Sequence, residues 1–293
     1  MKNFLLENNI KKNEDLSRHN TIKIGGQCKY YFEPKTIKQL LNAIKFCQKS
    51  DIKYYILGNG SKVIFKDSGF DGMIICTKKL TNYAINKNIV KADCGLNLFV
   101  LSKLLVQNSL AGLEFSYGIP GTVGGAVCMN AGAYGEEIGD KIQKVKIFDG
   151  KRDRIIKAKD LDFSYRNSLI KQKNYIVLSV WLKLEYGDSR EIKSRCHENF
   201  NKRKLSQPLE CYNCGSIFQK TNGIIAGKTI DNLGLKGVKI NGAQISTLHA
   251  NFIVNKGNAK CSDVEQLINL AKTSVFNETG VWLCEEVIII GDD

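Results

Sequence analysis

Two glycine-rich segments carry the most evident chemistry in this sequence. Gly58-Asn59-Gly60-Ser61 follows the apolar run Tyr54-Tyr55-Ile56-Leu57, where a phosphate-binding turn belongs. Glycine lets backbone N–H groups approach an anion closely, and a row of such groups cradles phosphate oxygens. The second segment is Gly118-Ile119-Pro120-Gly121-Thr122-Val123-Gly124-Gly125-Ala126, followed by Asn130-Ala131-Gly132-Ala133-Tyr134-Gly135; it holds six glycines within eighteen residues. Its neighbours are apolar rather than the serines of a flexible linker. It is therefore expected to be buried, with backbone groups that need partners. Phosphate binding and a tight packing corner in a β-rich domain are the two readings open to it. A nicotinamide-type Rossmann turn is disfavoured: Val63 stands where the third glycine belongs, and Val63-Ile64-Phe65 and Met73-Ile74-Ile75 read as strands where a helix is needed.

Cys211-x-x-Cys214 has metal or redox spacing, with Cys196-His197 upstream. Four such ligands could hold zinc. A second C-x-x-C is missing, however, and the pair does not open a helix after a strand. No metal site is expected. The ten cysteines lie scattered from Cys28 to Cys284 and read as reduced, buried thiols.

The elements that must position the glycines are visible from periodicity. Ile37, Leu40, Leu41, Ile44 and Cys47 have the spacing of a one-faced helix after Pro34, flanked by strand-like Tyr30–Phe32 and Tyr54–Leu57. A further helix is predicted over Leu98–Gln107. From Val145 to Glu185 the chain reads as short strands, including Ile176–Leu182. A charged stretch, Asp188–Lys204, follows, and a domain boundary is placed at its start. A helix is predicted to begin at Ser262 through a Ser262/Glu265 capping box, burying Val264, Leu267, Ile268 and Ala271. A strand over Trp282–Ile290 closes an α+β protein of two main parts.

Length and composition set outer bounds. With 293 residues and 43% hydrophobic content, two domains with ordinary cores are accessible. Met1–Glu7 ceases to be apolar after three residues, so no secretory signal is expected. No run approaches bilayer-spanning length. A soluble, cytoplasmic protein without a membrane partner is the expectation. The net charge of +14 suggests nucleic acid, yet the basic residues are spread along the chain and no RNP, zinc-finger or basic-arm pattern occurs. No nucleic-acid partner is expected. A basic field that draws in phosphorylated substrates is a third reading of the charge.

Several motifs recur together in one known family. They are Asn20-Thr21 through Gly25-Gly26, the Gly58–Ser61 turn, both parts of the second glycine segment, Tyr165-Arg166-Asn167-Ser168, Gly215-Ser216-Ile217-Phe218, Gly234-Leu235-Lys236-Gly237 and Leu283-Cys284-Glu285-Glu286-Val287. In this order and spacing the chain resembles the UDP-N-acetylenolpyruvoylglucosamine reductases from about Asn20 to Gly291. The resemblance implies an FAD-binding domain of the vanillyl-alcohol-oxidase type over 1–187, in subdomains of about 1–78 and 79–187. A C-terminal α+β substrate domain over 188–293 follows. It implies Gly58, Asn59, Gly60, Ser61, Pro120, Gly121, Thr122, Gly124, Gly125, Asn130, Ala131, Gly132 and Tyr134 as the FAD-contacting set. About 70 residues between Ser216 and Glu286 suggest the shorter class, without an extra tyrosine loop. A monomer is expected.

The family reaction reduces UDP-N-acetylglucosamine enolpyruvate to UDP-N-acetylmuramate for peptidoglycan, with NADPH as hydride donor and FAD as carrier. Hydride from flavin N5 goes to carbon 3, and carbon 2 is protonated. Negative charge develops on carbon 2 and its carboxylate, which calls for a cation and a proton donor there. By resemblance Arg166 is the cation, whose planar fork holds a carboxylate at two points, and Ser216 is the proton donor. Cys214 is a weaker candidate donor and reads as structural. Glu286 is the acidic partner; desolvation is expected to raise its pKa so that it bears a proton. Cys284 stands where the family pattern has a first glutamate. Tyr165, Arg203 and His249 are expected substrate contacts, although His249 also fits a satisfied core histidine. An FAD-linked oxidase of an alcohol or sugar is the alternative function, predicting oxygen reactivity. A basic binding protein without catalysis is the third, predicting a colourless preparation and salt-sensitive binding.

Overall fold

The computed structural model describes residues 8–292. The segment Met1–Glu7, discussed above as a possible signal, lies outside them. The described residues form two compact units: one from residues 8–32, 60–74 and 204–292, the other from 33–59 and 75–203.

In the first unit, strand Lys11–Asp15 pairs antiparallel with Gln27–Phe32, from Lys11 opposite Tyr31 to Asp15 opposite Gln27. Buried Asn20 closes the intervening loop, its amide donating to the carbonyls of Leu16 at 2.8 Å and Ile24 at 2.7 Å. A four-stranded antiparallel sheet is ordered Tyr212–Ser216, Phe252–Asn255, Ala243–Ile245, Lys239–Ile240. Helices Ala226–Asn232 and Cys261–Thr279 share a core with it that includes Ile217, Ile230, Ile245, Ile253, Val264 and Leu267.

The long helix buries Val264, Leu267, Ile268, Ala271 and Val275 along one stripe, as its period demands. Its start differs from the expectation. The helix begins at Cys261, and the Ser262/Glu265 box gives way to two carboxylates. Asp67 accepts from the N–H groups of Cys261 at 2.9 Å and Ser262 at 3.2 Å, and Asp263 accepts from Lys260 N–H at 2.9 Å. Carboxylates suit this end because the helix dipole places partial positive charge there. Gly280, at φ +69°, ends the helix in the left-handed conformation. The expected strand Trp282–Ile290 is also shorter. Only Ile288–Ile290 is a strand, parallel to Val63–Phe65. The preceding residues run beside 217–219 instead: Glu286 N–H donates to Ile217 O at 2.7 Å and Gln219 N–H to Cys284 O at 3.0 Å.

In the second unit, helix Ile37–Lys49 is capped by Thr36 and buries Leu40, Ala43, Ile44 and Cys47. Strand Tyr54–Leu57 leads out of it to Gly58. Helix Leu98–Gln107 has the predicted ends, with Asn97 Oδ1 accepting from Phe99 N–H at 2.8 Å. A five-stranded antiparallel sheet is ordered Asp153–Lys157, Ile142–Phe148, Ile176–Lys183, Ile89–Asp93, Tyr83–Asn86. The short helix Val123–Cys128 lies against it, so the second glycine segment is held on a sheet. The charged stretch is the helix Ser189–Ser206, which buries only Ile192 and Cys196.

Candidate active site

Within the second unit Gly58 and Asn59, the start of the first glycine segment, meet the second segment. Asn59 Nδ2 donates to Pro120 O at 2.8 Å. A Cβ added to Gly58 would stand 2.6 Å from Thr122 Oγ1, so the turn can lie this close only as glycine. Thr122 caps the short helix, and its bridge to Asn97 ties the segment to the start of helix Leu98–Gln107. Val123 and Gly124 N–H groups donate to Leu96 O at 2.8 Å and Cys94 O at 2.7 Å. Gly124 could not carry a side chain there, since its Cβ would fall 2.8 Å from that of Cys94.

The segment is not buried throughout, contrary to the expectation. Thr122, Val123, Ala126, Val127 and Asn130 face the core, whereas Pro120, Gly125, Tyr134 and Gly135 are exposed. The amphipathic helix and the turns on either side put one side on the sheet and leave the other open. Asn130, at φ +42°, binds the second part together: Nδ2 donates to Glu137 Oε2 at 2.6 Å and Ser164 O at 3.0 Å, and Oδ1 accepts from Gly139 N–H at 3.0 Å. Ala131 N–H donates to Ala126 O at 2.8 Å. Tyr134 OH donates to Asn199 O at 2.9 Å. Two turns pressed together without side chains, one rim exposed, fit a diphosphate, which needs close backbone approach rather than side-chain bulk.

Arg166 sits in the same unit at a tight turn in which Ser164 and Asn167 exchange backbone hydrogen bonds. Its φ is +53°, a left-handed conformation that is costly for a residue with Cβ. The guanidinium donates to Gly132 O at 3.0 Å and lies 4.9 Å from the ring centre of exposed Tyr165. Arg166 is thus joined directly to the second glycine segment. Arg203, in the last turns of helix Ser189–Ser206, is half-buried, and burial draws its guanidinium below the ordinary value.

Ser216 and Glu286 belong to the first unit, and the structure brings them together through a residue the sequence reading did not single out. Lys62 Nζ donates to Ser216 O at 2.7 Å and pairs with Glu286 Oε1 at 2.9 Å. The Glu286 side chain is only 9% exposed, against 38% for Glu285, which turns away to Lys272 at 2.7 Å. The buried Glu286 carboxyl is therefore half of an ion pair. Gly60, at φ +68°, packs on the backbone of His19 and Asn20, and its carbonyl accepts from Thr21 N–H at 3.2 Å. Thr21 Oγ1 donates in turn to Asn213 O at 2.6 Å, so Ser61 and Ser216 are approached from one loop.

Asn251 clamps the strand end beyond Ser216, bonding both backbone groups of Phe218. Its own N–H donates to His249 Nδ1 at 3.2 Å, which puts the imidazole proton on Nε2. Burial, with Lys236 nearby, lowers the His249 pKa. Burial likewise pushes the Cys214 thiol up to about 12, which suits a structural residue rather than a proton donor. All ten cysteines are free thiols, with Cys211 half-buried and Cys284 exposed. Among the described residues no group of three or more His, Cys, Asp or Glu side chains is arranged to hold a metal ion. No helix among them is long and apolar enough to cross a membrane.

Comparison with known proteins places these features. Residues 28–158 match the family model of an FAD binding domain, and residues 207–290 match that of the UDP-N-acetylenolpyruvoylglucosamine reductase C-terminal domain. The reductase of Clostridioides difficile is 39% identical over 293 residues, covering 99% of this chain and 96% of the relative. That of Alkaliphilus oremlandii is 40% identical over 282 residues, covering 96% and 93%. The crystal structure of the Thermus caldophilus reductase aligns with a TM-score of 0.81 at 32% identity, covering 96% of this chain and 97% of that one. The α+β organisation, an FAD-binding domain with a reductase C-terminal domain, agrees with what the motifs implied. From the first strand to the last, the chain belongs to the UDP-N-acetylenolpyruvoylglucosamine reductase family.

Proposed function

We propose that the chain reduces UDP-N-acetylglucosamine enolpyruvate to UDP-N-acetylmuramate, using NADPH and FAD, in the cytoplasmic synthesis of peptidoglycan precursors. The observation that carries this reading beyond family membership is the pairing of Ser216 and Glu286. They lie 70 residues apart in sequence, yet one lysine bonds both. The lysine holds the Ser216 backbone carbonyl and the Glu286 carboxylate, so the segment that carries the serine hydroxyl lies beside the carboxyl, which suits the protonation of an enolate carbon.

Bound FAD supplies the hydride that NADPH provides. The chain's own residues do the rest. The turn Gly58-Asn59-Gly60-Ser61 and the set Pro120, Gly121, Thr122, Gly124, Gly125, Asn130, Ala131, Gly132 and Tyr134 hold the cofactor. Arg166 holds the substrate carboxylate and balances the charge that grows on it, with its strained turn fixing the direction of the guanidinium. Ser216 gives the proton to carbon 2. Glu286, beside Lys62, orients the acid side of the site. Tyr165, Arg203 and His249 bind the remainder of the substrate, His249 as a neutral donor through Nε2. Residues 1–187 serve FAD and 188–293 the substrate. The enzyme works as a monomer, and the +14 charge serves substrate capture rather than nucleic acid.

The test has two stages. The purified protein should be yellow and should oxidise NADPH only when the enolpyruvyl substrate is present. Flavin reduction by an alcohol or sugar without NADPH, followed by reoxidation by oxygen, would return the oxidase reading. Ser216→Ala should then leave flavin reduction intact and slow carbon 2 protonation; protonation at the wild-type rate removes Ser216 from its role.

A further inference from the structure

Lys62 bridges Ser216 and Glu286 without a chemical role of its own so far, yet its placement is over-determined. Its carbonyl accepts from Ile288 N–H at 2.9 Å, just before the register that pairs Val63 with Ile288. Glu286 lies two residues before that anchor, and its own N–H is held by Ile217 O at 2.7 Å. The lysine side chain then returns across the gap to Ser216 O and Glu286 Oε1. Gly215 makes room for it: at φ +74° it turns the chain, and a Cβ there would stand 3.2 Å from Nζ. The lysine head is mostly shielded, at 27% exposure. A long, flexible cation is thus fixed at its root and at its head.

We propose that Lys62 is a positioning residue for the protonation half of the reaction, setting the distance between the Ser216 segment and the Glu286 carboxylate. It follows Ser61 directly, so it also couples the end of the phosphate turn to the acid side of the site. An ammonium group fits this task because it can donate to a carbonyl and a carboxylate at once while cancelling the buried charge of one of them. A neutral side chain would leave Glu286 to be re-solvated or to turn away. Loss of about one ångström of placement then costs up to ~10²-fold in the affected step. This inference rests on the proposed roles of Ser216 and Glu286.

The experiment uses the FAD-loaded enzyme and the variants Lys62→Met, Lys62→Arg, Glu286→Gln, Ser216→Ala and the Lys62→Met/Glu286→Gln double. Stopped-flow absorbance separates flavin reduction by NADPH from flavin reoxidation by the enolpyruvyl substrate, and calorimetry gives substrate affinity for the oxidised enzyme. Lys62→Met should slow reoxidation at least about tenfold more than it slows reduction, with substrate affinity changed less than about threefold. Lys62→Arg should recover part of the loss. In the Glu286→Gln background the same change should cost much less, because the two act as one unit. Equal losses in both half-reactions, a matching loss of substrate affinity, or full additivity with Glu286→Gln would overturn the proposal. So would normal reoxidation in Lys62→Met. If Glu286→Gln and Ser216→Ala also reoxidise normally, the roles given to those residues fail first; if they are slow and Lys62→Met is not, only the role of Lys62 fails. Should Lys62→Met lose its flavin, Lys62→Gln, which keeps a donor for Ser216 O without the charge, carries the same comparison.

Discussion

Asn251 and Phe218 are joined twice: the Asn251 amide donates to Phe218 O at 2.8 Å, and its Oδ1 accepts from Phe218 N–H at 2.9 Å. Both residues are buried, so no water stands ready to replace either bond. The clamp holds the chain two residues beyond Ser216.

Asn251→Ala should therefore destabilise the protein by about 2–4 kcal/mol, the cost of two buried backbone groups left unpaired. Asn251→Asp keeps the acceptor for Phe218 N–H but sets a second oxygen against Phe218 O in a buried site, and should recover little of the loss. Urea denaturation measures the stability. The turnover of the folded fraction should fall as well, because Ser216 shares this strand end; unchanged turnover would separate the clamp from the site.

Gly58 faces Thr122 Oγ1 with room for no side chain, since a Cβ would lie 2.6 Å away. Gly58→Ala should cost about 1–3 kcal/mol through overpacking and reduce the flavin retained per protein after gel filtration. Adding Thr122→Ala should return most of the flavin, because the remaining Cβ of residue 122 sits at 3.7 Å, an ordinary contact. Thr122→Ala alone should cost about 1 kcal/mol as a lost helix cap. If the double variant holds no more flavin than Gly58→Ala, the defect is not the clash.

His249 gives the molecule a sensitivity to acid. Burial first, and Lys236 in addition, lowers its pKa from the ordinary 6.5 in the folded state, against smaller raising effects of its own backbone and Asp231. As pH falls below about 6.5, the unfolded chain binds the proton before the folded one does, so unfolding is favoured. The contribution of His249 to stability is complete above that value and is lost as pH falls through the folded pKa. His249→Gln should flatten this part of the profile of Tm against pH below about pH 6.5. A slope unchanged in the variant would show that other groups cause it.

Local pattern was sufficient for much of the architecture. The helix Leu98–Gln107 and the strand Tyr54–Leu57 have the ends that their apolar spacing requires. Both glycine segments were visible as places where backbone must approach something closely. The Arg166 turn and the paired glutamates could be named as candidates only through motif resemblance, since a single arginine among 43 basic residues has no local mark.

What failed or was missed depended on residues distant in sequence. The expected cap at Ser262 yielded to Asp67, 195 positions earlier, because a carboxylate brought there by the fold is a better partner for the helix start than a local hydroxyl. The strand expected from Trp282 began only at Ile288, since residues before it bond to 217–219. Lys62, one of 43 basic residues, carries no local mark in the sequence. Helical stripes and glycine-rich turns are local properties, so the sequence alone determined which segments would be helices and where the backbone would turn tightly. Which side chains meet is a matter of long-range packing, and only the tertiary structure decided that Lys62 would close on Ser216 and Glu286.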